Sequence, residues 1–178
     1  MRATLSDGIK QALGGPTILY TPPMPLSRAL PVHRTAVDPA GAHYASAFAA
    51  PVAGLPPLSP EAWARIVFEE APVALQRCLY AAWRGGLGLR LGPRGARRHV
   101  LGWPITATGP GSITLEACSP LLTARNVICT GGSLVTWSTF VHVTGRTGRA
   151  VWASAAPLHH QAVPLLLKRA TREVAARA

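Results

Sequence analysis

Apolar and polar residues alternate along most of the stretch from Ile113 to Val143, the pattern of half-buried β-strands. Three turns can be set against that alternation. Closing a hairpin at Ser119 to Leu122 sets Ala124 opposite Ala117 and Asn126 opposite Leu115. A tight turn at Gly131-Gly132 sets Ile128 opposite Val135 and Asn126 opposite Trp137. A turn at Gly145 to Gly148 brings in a last strand, Arg149 to Ala156, with Val143 meeting Ala150 and Val141 meeting Trp152. All three turns select one mostly apolar face, which includes Ile113, Leu115, Ile128, Trp137, Val141 and Trp152 and also holds Asn126, Thr139 and Ser154. The opposite face carries Thr114, Glu116, Arg125, Ser138 and His142, as a solvated antiparallel sheet should. The same register puts Glu116 across from Arg125, a cross-strand ion pair worth at most ~1 kcal/mol. An earlier strand containing Leu101, Trp103 and Ile105 extends the apolar face, and Pro104 moves that strand toward a sheet edge.

Such a face needs a cover, and the segment from His159 to Arg172 supplies one. Val163, Leu166, Leu167, Ala170 and Val174 form a helical stripe, with Lys168, Arg169 and Arg172 elsewhere or at its margin. Pro157 breaks the chain before this helix. Pro164 either falls in the first turn of a helix starting near Val163 or kinks a longer one. Upstream, Ser59-Pro60-Glu61 is a helix start, combining a capping hydroxyl, a proline at the first helical position and a carboxylate near the positive end. Trp63, Ile66 and Val67 share one face of that helix. Pro72 ends it, and a second helix with Leu75, Leu79 and Ala82 at helical spacing runs to Gly85-Gly86. Before both lies a first strand, residues 43–52, with Tyr44 and Phe48 on one side. Residues 1–40 are rich in proline and glycine and lack either periodicity, which makes them an N-terminal arm to a domain spanning 41–178. The fold class is α+β: an antiparallel sheet, two short helices after its first strand, and a long C-terminal helix.

A chain of 178 residues, 48% of them hydrophobic, can bury a real core. Its net charge of +11 permits contact with nucleic acid or an anionic surface, and Arg90, Arg94, Arg97 and Arg98 form a basic cluster ahead of the meander. Lys10 and Lys168 are the only lysines, and an Ala-, Gly-, Pro- and Arg-rich composition also follows from GC-rich codons, so the charge alone does not favour nucleic-acid binding. Cys78, Cys118 and Cys129 match no zinc or redox spacing, and an odd count suits a reducing compartment, which points to the cytoplasm. No apolar run approaches the ~20 residues needed to cross a bilayer, and no signal-type apolar segment follows Arg2.

The chemistry-bearing residues are few. Thr139 and Ser154 are expected as cross-strand neighbours, Asn126 lies near Trp137, and His159 heads the covering helix. With the indole N–H groups of Trp103, Trp137 and Trp152 they form a ligand-orienting set in an otherwise apolar pocket, unless the tryptophans simply fill the core. Glu116 faces outward, Glu61, Glu69 and Glu70 sit at helix ends, and Asp7 and Asp38 lie in the arm, so no buried carboxylate stands ready as general acid or base. His159 and His160 project about 100° apart on a helix, a weak metal site. The glycine-rich segments do not match a phosphate-binding loop. No cofactor or metal is expected.

The segments Ser59 to Pro72, Thr147 to Trp152, Pro157 to His160 and Val163 to Leu166, in an order of strand, two helices, meander and long helix, resemble the START and polyketide-cyclase-like superfamily (SRPBCC, helix-grip), within an uncharacterised bacterial branch. The likeness covers roughly residues 40–175. It implies a curved sheet gripping the last helix around a cavity for an apolar small molecule or lipid, and it carries over no catalytic residue. Three functions follow as expectations: hydrophobic ligand binding, a polyketide-cyclase-like reaction assisted by His159 or an indole, and RNA or acidic-partner binding through the arginine-rich loop.

Overall fold

In the computed structural model, residues 32–35, 37 and 41–178 are described. Most of the expected 1–40 arm lies outside them. Seven strands form one open, curved antiparallel sheet. β1 (His33–Thr35) and β2 (Tyr44–Pro51) precede the helices α1 (Pro60–Phe68) and α2 (Val73–Ala81), and α2 runs into a π-helical turn at Ala82–Gly86. The meander β3 (His99–Val100), β4 (Trp103–Gly109), β5 (Ser112–Cys118), β6 (Leu122–Gly131) and β7 (Leu134–Val143) follows, and α3 (Gly145–Ala176) closes the chain. The order across the sheet is β1-β2-β7-β6-β5-β4-β3.

Helix α1 forms as its start signal predicts: Ser59 Oγ accepts from the Ala62 N–H at 3.1 Å and Pro60 opens the first turn. It buries Trp63, Ala64, Ile66, Val67 and Phe68. Its exposed side is tied down by Arg65, which bridges Glu61 (2.8 Å) and Glu69 (2.9 Å) and donates to the carbonyls of Arg97 (2.9 Å) and His99 (3.3 Å). The arginine-rich loop is thereby fastened to α1. At the other end Arg169 of α3 donates to the carbonyls of Ile66, Val67 and Glu70, supplying partners to carbonyls that the helix end leaves free.

Pairing of β5 with β6 follows the expected register, Ala117 opposite Ala124 and Leu115 opposite Asn126, and Arg125 reaches Glu116 at 2.6 Å. Between β6 and β7 the partners differ from expectation. Gly131 pairs with Leu134, so the turn is Gly132-Ser133, with Gly132 at φ +57°. Ile128 then faces Trp137, not Val135, and Asn126 faces Thr139, not Trp137. The register has slipped by two residues, an even step that leaves every side chain on its expected face.

The larger correction concerns residues 149–156, which are helical. The free side of β7 is taken by β2, with Tyr44 opposite Val141 and Phe48 opposite Trp137, so no edge remains there for another strand. The alanines at 150, 153, 155 and 156 favour helix. Gly148, Trp152, Val163, Leu166, Leu167, Ala170 and Val174 are buried along one stripe of a single helix of 32 residues. Pro157 is therefore no break, and both it and Pro164 lie inside α3. Ser154 is on that helix, so Thr139 has Ser46 and Asn126 as its cross-strand neighbours, not Ser154.

Candidate functional site

A cavity of about 510 Å³ lies between the sheet and α3, within the range of small-molecule sites. The sheet contributes Trp103, Ala124, Asn126, Trp137 and Thr139. Helix α3 contributes Trp152, Ser154, Leu158, His159, Val163 and Leu166, and α2 with its π-helical turn adds Leu79, Trp83 and Leu87. All seven residues singled out in the sequence, Trp103, Asn126, Trp137, Thr139, Trp152, Ser154 and His159, line this one space. Trp152, Ser154 and His159 arrive there from a helix instead of from a strand and a junction.

The walls are stiffened by edge-on aromatic contacts. Phe68 meets Trp137 at 4.8 Å and Trp83 at 5.6 Å between ring centroids, and Trp83 meets Trp103 at 5.4 Å. Trp83 is not among the residues expected from the sequence, although it falls four residues after Leu79, on the same side of the helix. Ser154 and Leu158 line the cavity while remaining exposed, Leu158 at 69%, which places them at its mouth.

Polar order inside the cavity centres on Asn126, itself 5% exposed. Its Oδ1 accepts from Trp137 Nε1 at 3.0 Å and from Thr139 Oγ1 at 2.8 Å. An indole N–H can only donate, so the amide oxygen must face it and the Nδ2 amino group is left as a donor. The Trp137 N–H is thus engaged within the protein and is not available to a ligand. The N–H groups of Trp103 and Trp152 are buried and have no partner among the described residues. Ser154 Oγ donates to the carbonyl of Val151 at 2.8 Å.

His159 Nε2 lies 3.3 Å from Ser46 Oγ, and its ring packs near Trp152 and Tyr44. His160 Nε2 meets the Tyr44 hydroxyl at 2.7 Å. Burial pushes the His159 pKa down to about 4, with the adjacent His160 adding to the shift. Burial likewise raises the Tyr44 phenol. His159 is therefore neutral at neutral pH. An unfolded chain takes up a proton here below about 6.5 while the folded protein resists until about 4, so this stability is present above 6.5 and is lost as pH falls through that window. His159 is only half-buried, so the loss should reach at most about 3 kcal/mol. Urea midpoints taken between about pH 7 and pH 4.5 should fall less steeply for His159→Gln than for the parent. Parallel profiles would place the acid sensitivity elsewhere.

Among the described residues no helix is long and apolar enough to cross a membrane, and no group of three or more His, Cys, Asp or Glu side chains is placed to hold a metal ion. Compared with family models, with curated proteins and with solved structures, the chain matches none of them, so what the cavity does has to be read from its own geometry.

Proposed function

We propose that this chain is a helix-grip protein that binds an apolar small molecule in the cavity between its sheet and α3. The observation that carries this reading is the lining: aliphatic and tryptophan side chains from four parts of the chain around about 510 Å³, with polar groups confined to a few positions. The order of elements supports it. A strand, two helices, a meander and a long helix is the order on which the helix-grip resemblance rests, and the first long strand β2 also closes on the last strand β7.

The test is to fill the space. Ala162 lines the cavity from α3, and Ala162→Phe should occupy part of it. A fluorescent apolar probe whose emission rises on binding should titrate the parent protein to saturation and lose at least about tenfold in affinity on Ala162→Phe, a change of about 1.4 kcal/mol. Native mass spectrometry of protein purified from its own host should show a discrete adduct that is released on denaturation and missing in the variant. Equal probe affinity in both proteins would move binding away from this cavity.

A further inference from the structure

We infer, resting on that reading, that the ligand is electrically neutral and presents a hydrogen-bond acceptor, such as a ketone, ester or quinone carbonyl, to the amide nitrogen of Asn126. Three observations converge on this. None of the described residues lining the cavity is Lys, Arg, Asp or Glu. An ionised acid would therefore leave water with no countercharge to meet it, at a cost of several kcal/mol. Arg84, next to the lining residue Trp83, is exposed and is not part of the lining. His159, the one titratable side chain in the lining, is held uncharged by its burial.

The buried amide of the lining leaves a donor unmet. Asn126 is fixed with its oxygen toward Trp137 and Thr139, and no acceptor among the described residues is hydrogen-bonded to its Nδ2. The indole N–H groups of Trp103 and Trp152 also lack partners, but both are closed to solvent and so do not face the cavity, which leaves the Asn126 amino group as the donor a ligand can reach. The hydroxyls of Thr139 and Ser154 already donate, to Asn126 and to Val151. Buried N–H groups are rarely left unpaired in folded proteins, whereas oxygens are more often under-satisfied. A ligand that supplies an acceptor meets the Asn126 amino group, and a hydrocarbon does not.

Dodecane, methyl laurate and laurate, competed against a bound fluorescent probe at about pH 8 where the acid is ionised, separate the cases. The ester should bind at least about tenfold more tightly than the alkane and than the carboxylate. Asn126→Asp keeps an oxygen for Trp137 and Thr139 but replaces the amino group by a second oxygen, and it should bring the ester to within about threefold of the alkane. Laurate binding as well as the ester, or dodecane matching the ester, overturns the inference while leaving the cavity as a binding site. Failure of the probe and of all three compounds to bind the parent overturns the cavity reading itself. The comparison on the parent protein decides the matter even where the Asn126 variant does not fold.

Discussion

Gly148→Ala should destabilise the protein by about 2 kcal/mol, and Gly148→Val by more, although alanine at an ordinary helix interior would stabilise by about 1 kcal/mol relative to glycine. A Cβ at Gly148 would press into the backbone of Leu121, against its carbonyl oxygen and carbon. That backbone cannot easily retreat. The Leu121 carbonyl accepts from the Thr144 N–H at 2.7 Å, and its own N–H donates to Ser119 Oγ at 3.2 Å. The first turn of α3 lies directly on the β5–β6 turn, and this close approach orients the helix over the sheet. Urea unfolding of the two variants measures it. A Gly148→Ala protein as stable as the parent would mean that α3 does not rest on that turn.

Asn126→Leu should cost about 3 kcal/mol despite the gain in apolar character, because it strands the Trp137 N–H and the Thr139 hydroxyl in the core. Trp137 is 3% exposed and Thr139 also 3%, so a water replacing the lost acceptor would have to sit deep in the cavity among mostly apolar walls. Thr139→Val removes only one of the two donors and should cost about 1 kcal/mol, and the two effects should fail to add, since both act through Oδ1. Denaturant midpoints give the energies, and near-ultraviolet circular dichroism reports whether the Trp137 environment survives. A loss under about 1 kcal/mol in Asn126→Leu would show that the indole finds another acceptor.

The same network shows why the cavity-lining residues are legible in the sequence although the register is not. Trp137, Asn126 and Thr139 share one face of the sheet under any register that slips by an even number of residues, so the turn at Gly132-Ser133 changed their partners without moving them off the cavity. Trp152 and Ser154 were placed on a strand that does not exist, yet Trp152 is 8% exposed on α3 and faces the same space. A large apolar side chain next to an apolar sheet is buried by either local structure. Pro157 reads as a break and Pro164 as a first-turn residue or a kink, yet each removes only one helical donor and neither ends α3. Spacing puts Trp83 on the helix side of Leu79, but that this side faces the cavity, and that Tyr44 meets His159 and His160, depends on which elements meet in space.

Local chemistry determined much by itself: the cap and proline that start α1, the parity of the meander, the Glu116–Arg125 pair, and the apolar stripe from Val163 to Val174. These are short-range or period-two properties, and a sequence carries them in adjacent positions. Only the tertiary structure decided that β2 and not residues 149–156 lies beside β7, that α3 begins at Gly145, and that His159 packs half-buried against Ser46. Each of those joins residues about a hundred positions apart or ranks two candidates for one edge. Such choices are settled by the free energy of the whole packed core, in which local propensities of a few tenths of a kcal/mol are outweighed.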